Sequence, residues 1–123
     1  MKLKWGASTD VGMVRQQNED SYLAEENLYV VADGMGGHNA GEVASALAVT
    51  TLKAGARSGI DSVERFRELV QQANTAIYTA SLDDSTQSGM GTTLTALSIV
   101  AGEEPRVLVA NVGDARTYLW RNG

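Results

Sequence analysis

Hydrophobic and polar positions change period along this chain, and the changes divide it into elements. Near the start, short alternating runs predict strands. Lys2, Lys4, Trp5 and Ala7 lie in one, and residues 21–25 form a second. Asn27 marks a turn. Leu28-Tyr29-Val30-Val31-Ala32 is a nearly continuous apolar run, which predicts a more deeply buried strand ending at Asp33. The period then lengthens. Residues 42–57 place Val43, Leu47 and several alanines on one side of a helix, with Gly59 just beyond its end. A second helix starts near Asp61, where Asp61 and Glu64 have capping-box spacing. Its apolar face is Val63, Phe66, Leu69, Val70, Ala73, Ile77 and Ala80. Residues 83–91 are polar and contain glycine, so they read as a loop. Strands follow at 92–100, 106–112 and 116–121, the first two joined by Gly102-Glu103-Glu104-Pro105. There is no internal repeat and no linker.

Composition narrows the chemistry. The 123 residues suffice for one small domain, and 43% apolar with 20% charged residues is ordinary for a globular chain. With no cysteine, disulfides and thiolate metal sites are excluded, so a metal must sit on oxygen or on His38, the only histidine. The net charge of −5 without a Lys/Arg cluster argues against nucleic acid and anionic membrane as partners. No apolar stretch follows the first lysines as in a secretory signal, and the longest mostly apolar run, 94–101, is too short to span a bilayer. A cytoplasmic location is the expectation.

Four clusters could carry chemistry. Arg15-x-x-Asn18-Glu19-Asp20 sets a guanidinium, the natural bidentate clamp for phosphate, beside two carboxylates. Taken alone it reads as a solvated turn with a local ion pair. Asp33-Gly34-Met35-Gly36-Gly37-His38 closes the apolar strand. A carboxylate there can bridge two hard cations, and a glycine lets its own carbonyl turn toward a metal. Four glycines between 34 and 41 are too many for a simple Asp-Gly turn, and demand unusual backbone angles or a close approach. A dinucleotide fold would also use strand, glycine loop and helix, but Asn39 stands where a third Gly or Ala is needed, and no Gly-Lys-Ser/Thr sequence exists for a P-loop. Gly89-Met90-Gly91-Thr92-Thr93 alone reads as a tight structural approach. Asn111-Val112-Gly113-Asp114-Ala115-Arg116 alone reads as a hairpin turn, with Asp114 a possible ligand.

Together, and in this order, these clusters resemble the PPM, or type 2C, metal-dependent protein phosphatases in their bacterial form. Residues 15–21, 33–38, the Gly41-Glu42 and Ala44-Ser45 pairs, 89–93 and 111–116 carry the likeness, which spans nearly the whole chain. The first two motifs are specific and the last two corroborate them. The resemblance implies an α+β fold, part of a four-layer α/β/β/α sandwich with antiparallel sheets. It also implies hydrolysis of phosphoserine or phosphothreonine in proteins by a water activated between two Mg²⁺ or Mn²⁺ ions. In that scheme Asp33 bridges the ions and the Gly34 carbonyl binds one. Glu19 and Asp20 act through bound waters, Arg15 grips the substrate phosphate, and Asp114 matches a ligand of a third, weaker ion. Met35 stands where many eukaryotic members carry a histidine. His38 occupies the bacterial family's usual place, where a role as general acid and a structural role both stand. Ala115 replaces a common serine.

The family's later Asp-Gly segment and Asp-Asn pair are absent, and Asn122-Gly123 is a hairpin signal with no returning strand. The chain is therefore expected to be the N-terminal portion of a catalytic domain, cut at a turn. On its own it is expected to bind metal poorly and to need a partner, either its missing half or a second copy. The competing reading is a non-catalytic PPM-like module that binds or senses a partner. Retention of Arg15, Asp20 and Asp33 speaks against it.

Overall fold

A computed structural model describes residues 6–8, 18–25, 27–37, 39–113 and 117–119. Strands β1 (Asp20–Ala24) and β2 (Leu28–Met35) form a hairpin closed by paired bonds between Glu25 and Leu28. Two helices follow, α1 (Ala40–Ala56) and α2 (Val63–Asp83). Then come a short 3-10 turn (Ser85–Gln87), a two-residue strand β3 (Gly91–Thr92), β4 (Leu94–Val100) and β5 (Arg106–Val112). The sheet order is β1-β2-β4-β5, antiparallel throughout, with β3 also on β2. The α+β expectation holds.

Alternation along β2 explains the layering. Leu28, Val30 and Ala32 are buried toward the helices, while Val31 and Asp33 face out. Ala40, Ala44, Ala48 and Leu52 recur every four residues on α1, and these small side chains let the helix lie close on the sheet. Helix α2 packs on α1 through Phe66, Leu69, Ala73 and Ile77. Gly55 leaves room for Leu69, since a Cβ there would lie 3.0 Å from Leu69 Cγ. Among the described residues the helices cover one sheet face only. The other displays Tyr22, Tyr29, Val31, Leu97, Val107 and Val109, with Val31 55% and Val109 53% exposed. A groove of about 290 Å³ lies over this face between Tyr22, Tyr29, Val31 and Leu97. Among the described residues no helix is long and apolar enough to cross a membrane.

Several sequence expectations shift. Strand β2 does not end at Asp33 but runs on to Met35, because Gly34 and Met35 pair with Thr92 and Gly91. Helix α1 starts at Ala40, two residues early, after Asn39 turns left-handed at φ 66°. The cap of α2 is Ser62 rather than Asp61: Ser62 Oγ accepts from the Arg65 N–H at 3.1 Å. Val63, the first helical residue after the Ser62 cap, is 49% exposed rather than part of the buried face. The loop expected from Asp83 is a helix end followed by a 3-10 turn, which Asp84 caps by accepting from the Thr86 N–H at 2.9 Å. Thr117, Tyr118 and Leu119 form no strand. These three residues are exposed, and the rest of the strand expected at 116–121 lies outside the described residues. Of the strand expected at the start, residues 6–8 are irregular and the rest lies outside the described residues.

Candidate metal and phosphate site

The β1–β2 register sets the site. Asp20 lies directly opposite Asp33, so two carboxylate-bearing residues share one face at one end of the open side of the sheet. Like charges directly opposite destabilise a strand pair unless a cation offsets them. The ladder extends one step further, with the Gly34 N–H donating to the Glu19 carbonyl at 3.1 Å. That carbonyl also accepts from Ser45 Oγ at 2.7 Å, and Ser45 Oγ lies 2.9 Å from Ser21 Oγ. Ser45, fully buried on α1, thus ties the helix to the start of β1 beside Asp20. The sequence reading placed Ser45 in a motif without giving it a role; the available signal was a hydroxyl between Ala44 and Ala48 on the buried stripe.

Gly34 and Gly41 meet where β2 passes the first turn of α1. A Cβ on Gly34 would run into the Gly41 carbonyl and lie 2.9 Å from the Gly41 Cα. A Cβ on Gly41 would lie 2.8 Å from the Gly34 carbonyl carbon and strike Glu19 Oε2. Two of the four clustered glycines therefore serve a close approach, and Gly36 serves an unusual angle at φ 145°. Glu19 Oε2 is buried against this first turn, where a carboxylate is favoured by the helix dipole. On the other edge of β2, Asp33 is held by Thr93: the Thr93 N–H donates to the Asp33 carbonyl at 2.9 Å, and the Asp33 N–H donates to Thr93 Oγ1 at 3.2 Å.

The structure sets Asp20 opposite Asp33 and Glu19 beside Gly34 at one end of the hairpin, with Glu19 Oε2 turned against Gly41 of α1. Arg15, His38 and Asp114 lie outside the described residues. The donors present are all oxygen, as a hard divalent cation requires. Among the described residues no three Asp, Glu or His side chains gather closely enough to hold a metal ion. In chemistry these oxygen donors suit such an ion, but in number they fall short of a complete site.

Comparison with known proteins decides the family. The family profile for protein phosphatase 2C matches residues 13–123. The chain belongs to the protein phosphatase 2C family. Serine/threonine protein phosphatase PstP of Mycobacterium tuberculosis is 42% identical over 123 residues, which cover 98% of this chain and 23% of that protein. Serine/threonine phosphatase stp of Listeria monocytogenes is 40% identical over 125 residues, covering 93% of this chain and 48% of the relative. A crystal structure of the PstP catalytic domain in complex with two manganese ions superposes with a TM-score of 0.81 at 42% identity, covering 91% of this chain and 48% of that one. The two layers seen here thus form a partial α/β sandwich of the type 2C phosphatases. The chain spans about half the length of the catalytic domain it matches, and less of PstP as a whole.

Proposed function

We propose that this chain is the N-terminal portion of a protein-serine/threonine phosphatase catalytic domain, which hydrolyses phosphoserine and phosphothreonine in proteins once the domain is complete. The observation that carries this reading is the Asp20–Asp33 pair, set face to face across β1 and β2 in a chain 42% identical to a domain crystallised with two manganese ions. Mn²⁺ or Mg²⁺ would be held by Asp33 and the Gly34 carbonyl, with Asp20 and Glu19 acting through solvent and Asp114 serving a third ion. When bound, such ions acidify water and neutralise phosphoryl charge.

The chain's own residues supply the rest. Asp33 and Asp20 orient toward one side of the sheet end, where a phosphate ester can approach. Arg15 binds the phosphoryl oxygens as a bidentate clamp. His38 would be the general acid for the leaving serine or threonine oxygen, with a structural role as the alternative. The open apolar face is covered by the remainder of the domain, or by a second copy when residues 1–123 stand alone. A Cys-free chain of this kind suits a reducing compartment such as the cytoplasm.

Hydrolysis of a phosphothreonine peptide with Mn²⁺ tests the reading. The complete domain is expected to turn over and its Asp33→Asn variant to fail, with residues 1–123 alone inactive. Robust turnover by residues 1–123, or none by the complete domain, would overturn it.

A further inference from the structure

The Gly89-Met90-Gly91-Thr92-Thr93 motif has a task that its sequence does not announce. Pairing between β2 and the β3–β4 segment keeps one register on both sides of position 93: Gly34 faces Thr92, and Val31 faces Thr95. Thr93 therefore stands opposite Asp33, yet the strand is interrupted there. The interruption is a substitution of one acceptor for another. In an unbroken antiparallel pair, facing residues at alternate positions exchange two main-chain bonds, and the bond between Thr93 N–H and the Asp33 carbonyl marks this as such a position. Here the Thr93 N–H still donates to the Asp33 carbonyl at 2.9 Å, but the Asp33 N–H donates to the Thr93 hydroxyl at 3.2 Å. The displaced Thr93 carbonyl accepts instead from Thr92 Oγ1 at 2.7 Å. Adjacent threonines thus satisfy both halves of the broken pair.

The other branch of Thr93 is also used. Gly113 turns at φ 91°, and a Cβ on it would lie 2.9 Å from Thr93 Cγ2. The methyl group therefore occupies the space beside Gly113, the residue before Asp114 in sequence. One side chain joins three of the four motifs, with its hydroxyl on Asp33 and its methyl on Gly113.

We propose that Thr93 is a positioning residue for the metal-holding carboxylate of Asp33: its hydroxyl, standing in for a main-chain carbonyl, fixes the Asp33 peptide unit, while its methyl seats the Gly113 turn. The two functions separate by chemistry. Thr93→Val keeps the shape and removes the acceptor, leaving the Asp33 N–H without its partner. Thr93→Ser keeps the acceptor and removes the methyl. This inference rests on the phosphatase reading above for its metal, but not for its hydrogen bond.

The test uses the complete domain in wild-type, Thr93→Val and Thr93→Ser forms, with Mn²⁺ affinity from calorimetry and amide exchange at Asp33 read without metal. Loss of an outer-shell partner typically weakens metal binding about 10–100-fold. Thr93→Val is expected to lose affinity on that scale and to exchange the Asp33 amide faster. Thr93→Ser is expected to keep wild-type affinity and a protected Asp33 amide, with a lower melting temperature. Wild-type Mn²⁺ affinity and amide protection in Thr93→Val would overturn the proposal. So would equal loss in both variants, which would assign the effect to packing. A wild-type domain that binds no Mn²⁺ would instead refute the phosphatase reading, and the exchange measurement would still decide whether the hydroxyl holds Asp33.

Discussion

Replacing Gly34 with alanine separates two reasons for a glycine beside Asp33. If Gly34 were needed only to present its carbonyl to a metal, alanine, which has the same carbonyl, would leave the metal-free protein as stable as before. The structure predicts otherwise. The three atoms nearest a Cβ at Gly34 are all main-chain atoms of Gly41, with the Gly41 Cα at 2.9 Å. No flexible side chain can move aside, so β2 and the first turn of α1 must separate. Overpacking of this kind costs about 1–3 kcal/mol, and the rigid neighbour puts Gly34→Ala in the upper part of that range. Removing a strand glycine returns roughly 0.5–1 kcal/mol of backbone entropy, which leaves a net loss of about 1–2 kcal/mol. Gly37 is the internal control: a Cβ there meets nothing within 4 Å, so Gly37→Ala should stay within about 0.5 kcal/mol of the parent. Urea unfolding of the complete domain in chelator reads the difference. With slopes of about 1–3 kcal/mol/M, the Gly34→Ala midpoint should fall by roughly 0.5–1 M. Equal midpoints for Gly34→Ala and Gly37→Ala would refute the close-approach argument.

Other outcomes follow from the same packing and hydrogen bonds. Leu69 is fully buried between the helices, so Leu69→Ala should cost about 2–5 kcal/mol in chemical denaturation. Ser62→Ala should cost about 1 kcal/mol by loss of the α2 cap, whereas Asp61→Ala should cost less; the reverse order would restore the cap to Asp61. The Asp84 carboxyl is held below its ordinary value of 3.8, first by the Thr86 hydroxyl and then by the Thr86 N–H. Its contribution to stability is therefore complete above pH 3.8 and is lost as pH falls through the lower folded value. Carboxyl NMR titration should show that midpoint rise toward 3.8 in Thr86→Val. Residues 1–123 alone, with one sheet face open, should self-associate in size-exclusion chromatography, and a compact monomer would count against the open face needing a cover.

The elements with a clear period were legible in the sequence. The apolar run of β2 and the three-to-four spacing of α2 are each matched by the element they predict, though β2 runs two residues further and α2 is capped one residue later. What escaped depends on contacts distant in sequence. Gly34 reads locally as a strand breaker, yet Gly91 and Thr92 supply the pairing that carries β2 through it. The glycine cluster signalled a close approach without naming its partner, because Gly41 meets Gly34 only after α1 folds back on the sheet. Glu19 and Asp20 could be singled out by residue type, but the register that sets Asp20 against Asp33 follows from the hairpin turn at Asn27. Thr93 was visible only as the end of a glycine-containing motif, since its hydroxyl acquires a task from Asp33, distant in sequence. Ser45 was hidden in an alanine stripe for the same reason: its acceptor, the Glu19 carbonyl, belongs to another element.

The claim on which the functional account turns is that Asp33 belongs to a cation site rather than to an ordinary strand end. Thermal melting of the complete domain and of Asp33→Asn, each with and without Mn²⁺, tests it most directly. A ligand at about 100 times its Kd stabilises the folded state by about 2.7 kcal/mol. Without metal, Asp33→Asn should melt at or above the wild-type temperature, because it removes a like charge facing Asp20. With Mn²⁺ the wild type should rise by several degrees and the variant should barely move. Equal Mn²⁺ shifts in the two proteins, or none in the wild type, would contradict the account.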